Sequence, residues 1–452
     1  MAPFDPKAIQ RFRFTARSLS PDGRVTLEYA LDDAETLIET YDIPIAPGVT
    51  IDFEAAQPIL DLLHWVAGVS YYKLAAPPEV SCETGAPPLA AAAFLEALYS
   101  EGLGEFAYEN RERLGGLPRP SFPRGDAPAR ADVTPVSLHR VLVPTGGGKD
   151  SVVALEVVRE AGLDFSLFAV NALEPMHATA EVAGVPMLEV RRGLPLEQFK
   201  RLHAEGALNG HVPITAIISC VALLTAQING FDAVALANER SASAGNLVYD
   251  GIEVNHQFSK SAPAELLLRA AAREATRAVD IFSLLRPAAE LSIARTFAQR
   301  FPEYHHAFAS CNRNFQTDPA LRVSGRWCRD CPKCRFVFLM LAPFLSPDEM
   351  TGIFGGAMLD DDTQFEGFAL LTATGGFKPF ECVGEEEESL AAIEMLEQQE
   401  QWRDHSVVRR LIAEVLDVHG RDPRRAEALL QLHDDHAVPP ELMDAVRALL
   451  GA

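Results

Sequence analysis

Arg140-Val141-Leu142-Val143-Pro144-Thr145-Gly146-Gly147-Gly148-Lys149-Asp150-Ser151 is the stretch on which the fold turns. Its first half is a continuous apolar run, the pattern of a strand buried on both faces in a parallel sheet. A helix is predicted to follow, from Asp150 to Ala161. The three glycines between them let the backbone turn sharply and offer N–H groups to an anion without Cβ obstruction. The helix start adds its positive dipole end. Lys149 can pair with a phosphate as a point charge, and Asp150 beside a phosphate calls for a bridging Mg²⁺. The loop is not a Walker A motif, because Lys149 is followed by Asp150 and not by Ser or Thr. Its plain alternative is a glycine-rich turn with no ligand.

Working outward, strands are predicted at Phe165–Val170, Pro186–Val190 and Asp232–Ala237, with helices over Ile214–Asn229, 262–279 and 287–300. The alternation implies an α/β fold with a parallel, doubly wound sheet over residues 137–345. Before it, residues 1–115 read as a separate α+β unit, with strands around Phe12–Phe14 and Val25–Leu31 and helices at Gln57–Ala67 and Leu89–Tyr99. Residues 116–136, with prolines at 118, 120, 123, 128 and 135, read as a linker. Residues 346–452 read as an acidic, mainly helical region with helices over 389–401, 406–418 and 424–432. Its runs Asp360–Asp362 and Glu385–Glu388 are expected to be solvated faces or helix starts.

The formal charge is −23, from 63 acidic and 40 basic residues, a surface that repels phosphate backbones and anionic lipid. Neither a nucleic-acid partner nor a membrane is expected. The longest apolar stretch, Ile214–Ile228, is shorter than the ~20 residues needed to span a bilayer and carries Thr215, Ser219, Thr225 and Gln227. No secretory signal follows Met1, so a cytoplasmic location is expected.

Two loops after the later strands concentrate polar chemistry. Asn238-Glu239-Arg240-Ser241 ends one strand, and Asn255-His256-Gln257-Phe258-Ser259-Lys260-Ser261 follows. In a doubly wound sheet both would face the ligand at the carboxyl ends of the strands. His256, Lys260 and Glu239 are the candidate proton carriers. The structural alternatives are that Asn238 only turns the chain and Ser261 only caps a helix. Further on, Cys328, Cys331 and Cys334 are spaced C-x2-C-x2-C, with Cys311 as a fourth thiol. Four thiolates suit tetrahedral Zn²⁺; an iron–sulfur cluster or free reduced thiols are the alternatives. Cys82, Cys220 and Cys382 read as solitary apolar fillers.

The glycine loop resembles the PP-loop, Ser-Gly-Gly-x-Asp-Ser, of ATP pyrophosphatases with a HUP-type sheet: Gly147, Gly148, Asp150 and Ser151 fall in register, with Gly146 replacing the first serine and Thr145 before it. The resemblance implies ATP held by Thr145, Gly146, Gly147, Gly148, Lys149 and Ser151, with Asn171 at the adenosine and Asn238, Arg240 and Ser241 completing the site. It also implies cleavage between the α and β phosphates. A Cys triplet also ends a zinc-bearing PP-loop nitrile synthase, which strengthens the zinc expectation. Taken together, the glycine loop, Asn238–Ser241, Asn255–Ser261 and Trp327–Cys334 resemble the ATP-dependent UDP-N-acetyl-α-D-muramoyl-L-alanyl-L-glutamate epimerase family, MurL.

That resemblance, which spans nearly the whole chain, implies a substrate, UDP-MurNAc-L-Ala-L-Glu, whose terminal L-Glu becomes D-Glu with consumption of ATP and Mg²⁺ and release of AMP and pyrophosphate. Two other readings are kept beside it. One is a PP-loop synthetase that forms an amide or nitrile through an adenylated carboxylate. The other is an adenine-nucleotide sensor without turnover.

Overall fold

The computed structural model describes residues 4–126, 137–316, 320 and 322–451; residues 127–136 of the expected linker lie outside them. Eleven strands are present among these residues: β1 (Arg11–Leu19), β2 (Arg24–Leu31), β3 (Leu37–Asp42), β4 (Glu79–Cys82), β5 (Arg140–Pro144), β6 (Asp164–Val170), β7 (Met187–Gly193), β8 (Ala233–Leu236), β9 (Leu247–Tyr249), β10 (Ile252–Val254) and β11 (Asp280–Ser283). Nine form one sheet in the order β11-β8-β5-β6-β7-β3-β2-β1-β4, and β9 and β10 form a hairpin.

The stretch from β11 to β7 is wholly parallel. β5 lies inside it, with β6 and β7 to one side and β8 and β11 to the other. The order therefore reverses at β5, and a crevice opens beyond the carboxyl ends of β5 and β8. The two-sided burial read from Val141–Val143 is observed. Val141 and Val143 belong to a core that includes the helix Lys149–Glu160 and extends to C-terminal residues such as Trp402, Val446 and Leu450. Leu142 belongs to the core on the opposite face, which includes Phe168, Val234 and the helix Ile214–Asn229 and runs on under the N-terminal strands to Tyr29, Phe12 and Phe14.

Residues 1–115, expected as a unit of their own, extend the same sheet. β3 pairs antiparallel with β7 through Thr40↔Gly193, Tyr41↔Arg192 and Asp42↔Arg191. Arg192 fastens the junction, its Nε 2.6 Å from Glu39 Oε1 in a buried pair. The C-terminal helices likewise share the core of β5.

Several expectations shift. The helix over 262–279 ends at Ala275, and Asp280–Ser283 forms the edge strand β11. That strand, like β4 and the hairpin, has only three or four residues, too few for its alternation to be legible. The next helix is Glu290–Arg300, and 389–401 is replaced by Glu386–Glu397. Glu385 is the N-cap of that helix, so this acidic run is a helix start. Glu388 within it is fully buried, however, and is not a solvated face. Asp360–Asp362 are exposed as expected. Among the described residues no helix is long and apolar enough to cross a membrane.

Candidate active site

The crevice is a cleft of about 430 Å³, bordered by the β5 loop, the ends of β6 and β8, the 256–260 loop, and residues 309–315, Lys333 and Cys382. Its glycine loop is shaped from within. Thr145 Oγ1 accepts from Gly147 N at 3.2 Å and donates to Ser151 Oγ at 3.2 Å. Gly147 has φ +73°, and a Cβ there would meet the backbone of Pro175 at 2.8 Å and of Met176 at 2.9 Å. Gly148 is the N-cap of the helix Lys149–Glu160 and supplies no side-chain cap, so the first amides keep their capacity for an anion. Thr145, Gly146, Gly148, Asp150 and Ser151 border the cleft.

Lys149 does not. It is buried and paired with both Asp150 and Glu290. Burial would lower its pKa, but the two carboxylates outweigh that and raise it. Its expected role at phosphate is thereby changed to one of holding carboxylates. Burial acts to raise the pKa of Asp150, yet Lys149, Lys333 and Lys260 hold it below the ordinary value, so it faces the cleft ionised. Lys333 lines the cleft 3.8 Å from Glu290 Oε1. Lys260 and Lys333 are two lysines that line the cleft and can face a bound anion.

Asn238 and Glu239 line the cleft, and Asn238 Nδ2 donates to Ser283 Oγ at 3.0 Å. Arg240 and Ser241 turn away from it: Ser241 Oγ donates to Glu388 Oε1 at 2.5 Å. Asn171 is also absent from the cleft wall. It adopts φ +49° and braces the backbone of Arg192, accepting from its N at 2.8 Å and donating to its O at 3.0 Å. Ser261 caps the helix Ala262–Ala275, as its structural alternative had it.

His256 and Lys260 line the cleft together with Cys382. His256 Nδ1 is bonded to Glu105, and His211 Nδ1 stands 3.5 Å from the same carboxylate. Burial would depress the His256 pKa, but hydrogen bonds to Cys382 and Glu105 push it up to about 9. Lys260 Nζ lies 3.7 Å from Cys382 Sγ. The sulfur raises the Lys260 pKa against burial, with help from Glu239. Two of the three expected proton carriers, His256 and Lys260, are therefore held as cations near neutrality. Glu105, His211 and His256 thus form a second cluster, whose ligand atoms lie within 4.8 Å of one another.

The sulfurs of Cys311, Cys328, Cys331 and Cys334 lie within 4.8 Å of one another. The Sγ atoms of Cys328 and Cys334 are 3.7 Å apart, matching the ~3.8 Å that Zn–S bonds of ~2.3 Å impose on a tetrahedron. Amides of Cys331 and Cys334 donate to neighbouring sulfurs at 3.2 and 3.4 Å, the second-shell support thiolates need. The donor set fits zinc. The segment that leads into Cys311 also braces the glycine loop, with Ala309 N donating to Gly147 O at 2.8 Å.

Sequence reasoning missed Glu105, His211, Glu290, Lys333 and Cys382. Lys333 sits inside the C-x2-C-x2-C motif and could have been weighed there. Cys382 was misread as a filler, since no motif surrounds it.

The MurL N-terminal domain family matches residues 3–284, and the MurL C-terminal domain family matches residues 307–426. The chain belongs to the MurL family. It is 40% identical over 453 residues, covering 99% of both chains, to the UDP-N-acetyl-alpha-D-muramoyl-L-alanyl-L-glutamate epimerase of Xanthomonas oryzae pv. oryzae (strain MAFF 311018). Proteins of the same name from Micromonospora sp. (strain ATCC 39149 / NRRL 15099 / SCC 1413) and Salinispora tropica are each 44% identical, over 443 and 412 residues. The first match covers 94% of this chain and 96% of the relative, the second 88% of each. Both MurL segments build the cleft: the N-terminal one brings the glycine loop and residues 236–260, and the C-terminal one brings Ser310, Asn312, Lys333 and Cys382.

Proposed function

We propose that this chain is a cytoplasmic, ATP- and Mg²⁺-dependent epimerase that converts the terminal L-Glu of UDP-MurNAc-L-Ala-L-Glu to D-Glu in peptidoglycan precursor synthesis. It does so through an acyl-adenylate, with release of AMP and pyrophosphate. The observation that carries this reading is a single cleft in which a glycine loop with an ionised Asp150 opens onto the cluster of Glu239, His256, Lys260 and Cys382. The names of the MurL relatives support the substrate.

The chemistry explains why the two halves must share a cleft. Removing Cα–H beside a free carboxylate would place a carbanion next to an existing negative charge. Adenylation removes that charge, and the acyl phosphate delocalises the electron pair as an enolate. The amides of Gly148, Asp150 and Ser151 at the helix start suit the phosphates, with the hydroxyls of Thr145 and Ser151 beside them. Asp150 is the residue that would hold Mg²⁺, whose part is to offset phosphate charge. Lys260 and Lys333 suit the anionic substrate. The group that takes the proton belongs to the 255–260 loop or its immediate neighbours. The Cys311–Cys328–Cys331–Cys334 quartet would hold a structural Zn²⁺ that stiffens the floor under Gly147.

The test is incubation with UDP-MurNAc-L-Ala-L-Glu, ATP and Mg²⁺, with chiral analysis of the glutamate and assay of pyrophosphate. D-Glu at unchanged substrate mass, formed with pyrophosphate, is the expected result. A changed mass would mean ligation and would overturn the reading, as would nucleotide binding with no turnover.

A further inference from the structure

Cys382 differs from the chain's other cysteines outside the quartet. Cys220 is buried in apolar packing, and burial pushes the thiol of Cys82 up to about 12. Cys382 instead faces the cleft, 3.7 Å from the Lys260 ammonium and hydrogen-bonded to the His256 imidazole, which Glu105 orients from behind. A thiol that filled space would have no use for two cations.

We propose that Cys382 is the catalytic base that removes the glutamate Cα proton, with Lys260 and His256 as positioning residues that keep its sulfur anionic. The assignment rests on the epimerase reading. In the step, the Cα–H bond breaks and an S–H bond forms, and the C–H electron pair moves into the acyl carbonyl as an enolate. Inversion then needs a proton on the opposite face. Donor and acceptor on two faces of one carbon stand roughly 6–7 Å apart, twice the reach of a reacting contact, so Lys260 is too close to Cys382 to be the second group. The second proton comes from water in the cleft, which protonates the enolate carbon on the opposite face. The hydroxide left takes the proton held by Cys382 and restores its thiolate.

Burial would raise the Cys382 pKa, but Lys260, His256 and Lys333 bring it down to about 6. These three cations face the sulfur; Glu105 reaches it only through His256, and Glu239, Asp150 and Glu290 act on Lys260. Exchange of the Cα proton should therefore fall away below about pH 6 as the thiolate is protonated.

The experiment follows pyrophosphate release and Cα deuterium uptake together, in D2O, with UDP-MurNAc-L-Ala-L-Glu, ATP and Mg²⁺. Cys382→Ser should keep pyrophosphate release and lose deuterium uptake by roughly 10²–10⁴-fold, the usual worth of a general base. Uptake at the wild-type rate in both Cys382→Ser and Cys382→Ala overturns the proposal while leaving the epimerase reading standing. If wild-type protein releases pyrophosphate without uptake, the epimerase reading fails and the proposal with it. Should Cys382→Ser lose both signals, the pH profile of uptake decides, compared between wild type and His256→Gln. His256→Gln keeps a hydrogen-bonding group and removes the charge, so its acid limb should move up from about 6 toward the ordinary thiol value of about 8.5. An unmoved limb, or no limb, refutes the assignment.

Discussion

Gly146–Ser151 and Lys378–Glu388 both border the cleft, yet they hold their shapes by different means. The glycine loop is braced by neighbours in sequence: Thr145 ties Gly147 and Ser151, and Ser151 Oγ donates to Gly148 O at 2.9 Å. The second stretch is held almost entirely by distant partners. Asn246 Nδ2 donates to Pro379 O at 2.9 Å and Gln257 Nε2 to Val383 O at 3.1 Å. Glu381 accepts from Asn312 Nδ2 and Lys333 N, both at 3.0 Å. Glu388 accepts from Ser241 Oγ and from Glu290 N at 2.7 Å. A loop of the first kind takes much of its shape from its own side chains, with Ala309 N to Gly147 O as a brace from outside. One of the second kind places its side chains only when every element around it is docked, so Cys382 reports on the assembly of the whole cleft.

The sharpest challenge to this contrast is the cysteine quartet, which touches both regions through Ala309 and Lys333. Loss of a structural zinc site is worth roughly 10 kcal/mol. Cys331→Ser, or chelation, should therefore destabilise the fold and lower the melting temperature steeply. Calorimetry with metal analysis checks this; a purified protein with neither zinc nor iron and an unchanged melting curve contradicts it. Next comes Asp150→Ala, which acts on the self-braced loop without unfolding it. Pyrophosphate release should drop by roughly 10²–10³-fold, the scale of losing one pre-aimed electrostatic group, in a protein that still folds because buried Lys149 keeps Glu290 as a partner. Release at the wild-type rate would remove Asp150 from the phosphate site.

Glu388→Ala probes the other region. It strands Ser241 Oγ and the amides of Glu290 and Glu385, at a cost of roughly 2–4 kcal/mol by denaturant unfolding. A smaller loss would mean that water replaces the carboxylate and the clamp is dispensable. The smallest effect is expected at Gly147→Ala. The left-handed backbone and the contacts with Pro175 and Met176 cost roughly 1–3 kcal/mol, with a matching loss of nucleotide affinity measurable by calorimetric titration. Unchanged affinity would show that the loop tolerates a different shape.

The sequence by itself determined β5, the glycine loop and the helix behind it, because each rests on local physics: strand alternation, the steric freedom of glycine and the exposed amides of a helix start. The quartet was legible for the same reason, since its three close cysteines must converge whatever the fold. The N-terminal strands were legible as strands, but their place was not. β3 joins β7 with the Arg192–Glu39 pair across 153 residues beside the ladder, and no local pattern encodes such a partner. Lys149 was assigned to phosphate from its motif position; only tertiary structure sets Glu290, 141 residues away, against it. The same holds for Glu105, His256 and Cys382. They meet because elements from both ends of the chain pack around one parallel sheet and close on the cleft at its carboxyl edge. Charge and hydrogen bonding there turn a cysteine without a motif into a thiolate.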